Sequence, residues 1–249
     1  MATKKRVLIL AANPKDTDRL HFDKEIREIK AALQRAKYRE RFAIEQCEAV
    51  QVKDLRRALI DYKPHIVHFT GHGEGDGILL EDEDGSSEPV QSKALASLFK
   101  LSSDHVECVL LNACYSEAQA KAINKHIPYV IGMKREIGDG AAIEFAIGFY
   151  DALFAGETYQ QAFDYGKNAI QLKSIPEHLT PVFNFNSVLI DKTQPTKTES
   201  KKMNPVRIFI SYKRDIDPDE PVALQVAKAL KDHGHYVFID QVMPAGEEW

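Results

Sequence analysis

Two stretches decide how this chain is read: Ile66-Val67-His68-Phe69-Thr70-Gly71-His72-Gly73 and Cys108-Val109-Leu110-Leu111-Asn112-Ala113-Cys114-Tyr115-Ser116. Each is a short apolar run that reads as a buried strand and then breaks into a turn. His72 stands just past the first run and Cys114 just past the second. A thiol is mostly protonated at neutral pH, so acyl-bond hydrolysis needs a nearby imidazole to raise the thiolate fraction and to protonate the leaving amine. The two residues are 42 positions apart. They meet only if their strands are neighbours pointing the same way, which a parallel sheet provides.

The sequence on either side supports such a sheet. Val7 to Ala12 reads as a first strand, and Phe22 to Lys37 as a helix with Phe22, Ile26, Ile29 and Leu33 on one face. Phe42 to Ala49 reads as a second strand, followed by a helix through Leu55, Leu59 and Tyr62, with Ile66 to Thr70 the third strand. Ile78 to Leu80 and Pro89-Val90 flank Asp84-Gly85-Ser86-Ser87, which predicts a small acidic hairpin outside the main sheet. Ser92 is expected to cap a helix over Ala94 to Leu101. Cys108 to Asn112 is a fourth strand, Ala118 to His126 a helix, and Tyr129 to Met133 a fifth strand; helices over Gly140 to Phe154 and Thr158 to Leu172 follow. This alternation predicts an α/β fold with a mostly parallel sheet flanked by helices and ligands at the carboxyl ends of its strands.

Composition narrows the function classes. A formal net charge of -4 leaves no basic excess for nucleic acid or an anionic membrane, so neither is an expected partner. The three cysteines, Cys47, Cys108 and Cys114, form neither a paired framework nor a zinc spacing, which fits free thiols and a cytoplasmic setting. The first strand is too short for a signal-peptide core or a membrane span. Cys47 and Cys108 lie inside strands and read as core packing, His68 as a packed strand residue, and His65, His105, His126 and His178 as surface groups. The run Glu81-Asp82-Glu83-Asp84 has hard-cation ligand chemistry but reads as a solvent-facing hairpin. No metal or cofactor is expected.

With these residues in view, His68-Phe69-Thr70-Gly71-His72-Gly73 and Leu111-Asn112-Ala113-Cys114-Tyr115-Ser116 resemble the CHAT domain, a caspase-like branch of the clan of caspases, separases and gingipains. The resemblance spans about residues 5 to 190 and includes Val130-Ile131-Gly132-Met133 and the helix carrying Phe149, Tyr150 and Leu153. It implies a cysteine endopeptidase with His72 as base and Cys114 as nucleophile, acting on protein or peptide. The backbone amides of Gly73 and Cys114 are then the candidate oxyanion donors. Relatives that cleave after basic residues commonly carry an acid two residues before the cysteine; here that position is Asn112. Asp76, Glu81 and Asp139, from neighbouring loops, are alternative sources of that charge, and Lys134 and Arg135 are candidate walls for an acidic substrate residue.

Domain organisation follows from a change in composition. Residues 1–190 form the caspase-like domain, and residues 191–204, rich in Lys, Thr, Ser, Gln and Pro, read as a linker. Residues 205–249 open with the strand Val206 to Ile210, then Ser211-Tyr212-Lys213-Arg214-Asp215, a helix through Leu224 and Leu230, and the strand Tyr236 to Asp240. This resembles the first part of a flavodoxin-like TIR domain. The resemblance implies a bacterial immune or cell-suicide setting in which a nucleotide signal or TIR–TIR self-association gates the protease. Two other classes stay open: a nucleotide-sensing or NAD-processing TIR protein with the caspase-like fold as adaptor, and a non-catalytic scaffold.

Overall fold

The computed structural model describes residues 4–75, 77–189, 207–210, 219–232 and 236–239. The chain divides into two compact units, residues 1–193 and 194–249. The first unit is built on a six-stranded sheet: β1 (Lys5–Ala11), β2 (Phe42–Cys47), β3 (Ile66–Thr70), β7 (Cys108–Asn112), β8 (Tyr129–Met133) and β9 (Pro181–Phe185), in the order β2-β1-β3-β7-β8-β9. The first five are parallel and β9 runs antiparallel along β8. A separate three-stranded sheet comprises β4 (Gly73–Glu74), β5 (Gly77–Glu81) and β6 (Ser87–Gln91). Among the described residues, the helices of the unit include α1 (Phe22–Arg35), α2 (Val52–Tyr62), α3 (Ser92–Leu101), α4 (Glu117–Ile123), α5 (Asp139–Ala155) and α6 (Tyr159–Leu172).

Strand alternation divides the core into two layers. Along β1, Val7, Ile9 and Ala11 join one apolar cluster with Ile26 and Ile29 of α1, Phe145 and Phe149 of α5, and Phe163 of α6. Leu8 and Leu10 join the other, with Leu55 and Leu59 of α2, Leu95 and Phe99 of α3, and Ile123 of α4. Because both faces are covered, the strands read as continuous apolar runs rather than alternating ones. The same period of two determines the site: in β7, Cys108 and Leu110 face the α1/α5 layer while Val109 and Leu111 face the other. Asn112 and Cys114 continue the first series.

Three local expectations need correction. Ser92 is the first residue of α3, and the cap position falls to Gln91, because the helix grows directly out of β6. His105 and His65 are not freely solvated: Nε2 of His105 is buried, and Nδ1 of His65 accepts the amide of Arg6 at 3.1 Å. No strand was expected over residues 181–185, since the segment is short, starts with proline and contains Asn184. At a sheet edge a leading proline costs no ladder bond.

In the second unit, β10 (Arg207–Ile210), α7 (Asp219–Asp232) and β11 (Tyr236–Ile239) form a βαβ unit with the strands in parallel register. Ala227 and Val237 are buried together, with Ile208, Ile210 and Leu230 packed against them. The expected linker 191–204, the Ser211 to Asp215 stretch and the closing loop from Met243 lie outside the described residues.

Candidate active site

The two strands that deliver His72 and Cys114 are adjacent and parallel, with Thr70 opposite Asn112. Beyond them the loops touch. A Cβ added at Gly73 would fall 2.2 Å from the carbonyl oxygen of Cys114, and one at Gly71 would fall 2.7 Å from the carbonyl of Ala12. Only glycine permits backbone to approach so closely. The histidine loop is thereby seated directly on the cysteine loop.

His72 is held from a direction that sequence reasoning missed. Its Nε2 lies 2.6 Å from the backbone carbonyl oxygen of Asp18. A carbonyl can only accept, so Nε2 carries the hydrogen and, in the neutral ring, Nδ1 keeps the lone pair. Asp18 lies in a strap between β1 and α1 that is fastened on both sides. The carboxylate of Asp16 accepts the amide and hydroxyl of Ser87 at 2.8 and 2.9 Å, the amide of Lys15 donates to Gly85 O at 2.9 Å, and His21 pairs with Asp139 at 2.7 Å. The Ser87 hydroxyl holds the Asp16 carboxyl below its usual range. A backbone carbonyl carries no side-chain signature, so no sequence motif marks Asp18.

Cys114 is half-buried, and its Sγ pairs with Ile137 rather than with His72: the Ile137 amide donates to it at 3.5 Å, and Sγ lies 3.7 Å from the Ile137 carbonyl. Burial pushes the thiol above its ordinary range; the Ile137 amide opposes this, and the carboxylates of Glu136 and Glu177 add to it. Tyr115, next in the chain, has a positive φ of 55°. That region is uncommon for an aromatic residue and marks a forced turn. Buried Ser116 sustains the turn, donating to Leu111 O at 3.0 Å and accepting the Met133 amide at 2.9 Å.

The candidate oxyanion donors lie in the same contact. His72 O accepts the Leu79 amide at 3.0 Å, and the Ile78 amide goes instead to Gln119 Oε1 at 3.0 Å. Gly73, opposite Ile78 in the β4–β5 register, thus occupies the non-hydrogen-bonded position, where amides point away from the ladder.

The other expected residues separate. Lys134 and Arg135 are exposed beside the Cys114 loop: Arg135 O accepts the Tyr115 amide at 3.3 Å, and Arg135 Nε donates to Thr180 Oγ1 at 3.1 Å. Asn112 is only 3% exposed and is turned into the protein, donating to Glu25 Oε1 at 2.7 Å and Ala142 O at 3.1 Å. Strand alternation points it under α1 and α5, so it lines no open surface here. Asp139 is taken by His21. Asp76 lies outside the described residues.

His68, fully buried, lies with its Nδ1 3.1 Å from the Tyr150 hydroxyl. Among the described residues there is no grouping of three or more His, Cys, Asp or Glu side chains fit to hold a metal. In the acidic turn, Asp82 Oδ1 accepts the amides of Asp84 and Ser86, and Glu81 Oε1 accepts that of Asn13, which is hairpin and loop bonding. No described helix is long and apolar enough to cross a membrane.

Comparison with known proteins bears on the same region. The CHAT domain family matches residues 2–183. A probable protease of Gillisia limnaea is 32% identical over 164 residues, covering 65% of this chain and 29% of that protein. A Roc-COR-CHAT protease from an unknown prokaryotic organism is 28% identical over 180 residues, covering 69% of this chain and 17% of that protein. The chain thus spans less than a third of the length of these curated relatives. Among solved structures, a secreted C11 cysteine protease from Bacteroides thetaiotaomicron superposes with TM-score 0.56 at 12% identity, covering 76% of this chain and 69% of that one. The Drosophila initiator caspase Dronc superposes at 0.50 and 11%, covering 72% and 79%. At such identities the likeness is one of fold: a caspase-like α/β sheet.

Proposed function

The chain belongs to the CHAT domain family, and from that premise we propose that it is a cysteine endopeptidase in which Cys114 is the nucleophile and His72 its base. The observation that carries this reading is the Asp18 carbonyl on His72 Nε2, which leaves Nδ1 as proton acceptor in a loop seated on the Cys114 backbone. Nδ1 takes the thiol proton as sulfur attacks the scissile carbonyl. The Gly73 and Cys114 amides receive the oxyanion. When the C–N bond breaks, the imidazolium returns its proton to the leaving amine. Water, deprotonated by the same nitrogen, then attacks the acyl-enzyme and releases the acid and the thiol. Lys134 and Arg135 lie beside the Cys114 loop, where Arg135 O accepts the Tyr115 amide, and an acidic substrate residue is the side chain their charges fit.

Because Sγ pairs with Ile137, the loop from Lys134 to Gly138 must move to release it. The parallel β10–α7–β11 unit supports reading residues 205–249 as the start of a TIR domain, whose nucleotide binding or self-association gates that movement in a bacterial immune or cell-suicide pathway. The pairing of Sγ with Ile137 favours one rival, a non-catalytic scaffold.

Brief treatment with iodoacetamide at neutral pH, followed by mapping of the alkylated cysteine, separates them. Labelling of Cys114 that outpaces Cys47 and Cys108 and falls in His72→Ala supports the protease. Labelling no faster than those two, with or without added nucleotides, sinks it.

A further inference from the structure

The buried carboxylate of Glu25 is unexplained by the chemistry above. It lies in the first turn of α1, is 2% exposed, and belongs to a face otherwise occupied by Ile26 and Ile29. Its Oε2 accepts the Thr70 hydroxyl at 2.6 Å, and its Oε1 accepts Nδ2 of Asn112 at 2.7 Å. Thr70 and Asn112 are directly opposite each other across β3 and β7, and each stands two residues before a member of the dyad, His72 and Cys114 respectively. One side chain therefore joins the ends of both strands at the point where they become the catalytic loops.

We propose that Glu25 is a positioning residue for the dyad, setting the offset between the His72 and Cys114 loops through Thr70 and Asn112; this rests on the dyad reading above. A buried anion costs several kcal/mol to desolvate, and apolar groups of similar volume often stabilise as well or better. What an apolar side chain cannot supply is direction. The carboxylate has two oxygens, and each fixes one strand end along a hydrogen-bond axis.

Its effect on Asn112 is specific. With Glu25 Oε1 and Ala142 O both accepting from Nδ2, the amide has one orientation, since a flip would set Oδ1 against the carboxylate. Oδ1 is left buried without a hydrogen-bond partner among the described residues. His68 Nε2, 2.9 Å from Oε1 but off the axis of a hydrogen bond, and the Tyr150 hydroxyl on its Nδ1 close the network against α5. Glu25 also lies in the first turn of the helix that follows the strap bearing Asp18. The same segment thus fixes the strand ends through Glu25 and the imidazole through Asp18.

The test is the rate of Cys114 alkylation by iodoacetamide across pH in the full chain, comparing wild type, His72→Ala, Glu25→Gln, Thr70→Val and Thr70→Ser. Cys47 serves as the internal reference. Glu25→Gln and Thr70→Val are expected to slow Cys114 by roughly tenfold and to move its pH profile toward that of His72→Ala, within the range that misplacing a catalytic group produces. Thr70→Ser, which keeps the hydroxyl, is expected to restore the wild-type rate. Wild-type rates and profiles in Glu25→Gln and Thr70→Val overturn the inference while leaving the dyad intact. Wild-type labelling that does not depend on His72 removes the dyad reading and this inference with it. If Glu25→Gln does not fold, the Thr70→Val and Thr70→Ser pair decides alone.

Discussion

The carbonyl oxygen of Asp18 sits 2.6 Å from Nε2 of His72, so the imidazole is oriented by backbone from a strap 54 residues earlier in the chain. The strap depends in turn on Asp16 gripping Ser87. Asp16→Ala is expected to slow peptide hydrolysis several-fold, within the roughly hundredfold that a 1 Å misplacement costs. The Asp18 side chain is not involved, so Asp18→Ala should leave the rate close to wild type. Paired kinetic assays of the two variants distinguish backbone from side-chain action.

Removing either member of the proposed dyad has a different signature. His72→Ala is expected to lower hydrolysis by about 10² to 10⁴, the usual worth of a positioned base. Cys114→Ala should abolish acyl-enzyme formation altogether. Intact-mass spectrometry with an electrophilic peptide reads both, and adduct on Cys114→Ala would contradict the assignment of the nucleophile.

Gly73→Ala tests the seat between the loops. Its new methyl would lie 2.2 Å from Cys114 O, which is backbone and cannot swing aside. The loops must separate, at an expected stability cost of about 1–3 kcal/mol. Loss of hydrolysis should accompany a lowered thermal midpoint. An active, undisturbed Gly73→Ala protein would show that the contact is not needed.

The pH dependence has a definite sign. Burial raises the Cys114 thiol above its ordinary range and Glu136 raises it further, so alkylation should increase with pH toward a midpoint above that of a free thiol. Glu136→Gln removes a negative charge that disfavours the thiolate, and the midpoint should move down. A midpoint that rises or stays put in this variant would mean that Glu136 does not sense the sulfur.

Ser116 carries the turn after Cys114. Ser116→Ala leaves the buried Met133 amide without its acceptor. The expected cost is about 1–3 kcal/mol, or roughly 2–4 °C of thermal midpoint per kcal/mol in a unit of this size. Differential scanning calorimetry measures it directly.

Much of the fold was legible in the sequence because burial on both faces leaves a strong trace. The runs at Val7, Ile66, Cys108 and Tyr129 are strands, and the spacing of Ile26, Ile29 and Leu33 marks a helix. The edge strand β9 was not legible, since a half-exposed segment with proline and asparagine shows no such pattern. His72 and Cys114 stood out because each ends an apolar run with its own reactive side chain. Asn112, by contrast, had a motif position but no visible orientation, and it faces Glu25 rather than a substrate surface.

Read alone, the sequence carried the order of elements and the two residues proposed for acyl transfer, because periodicity and side-chain chemistry are local. The tertiary structure decided everything that depends on which distant segments meet: the Asp18 carbonyl on His72, the Gly73 backbone on Cys114, Ile137 on the sulfur, and Glu25 between Thr70 and Asn112. Backbone carbonyls and amides are the same at every position, and a buried carboxylate has the same letter as an exposed one. Only packing gives them direction.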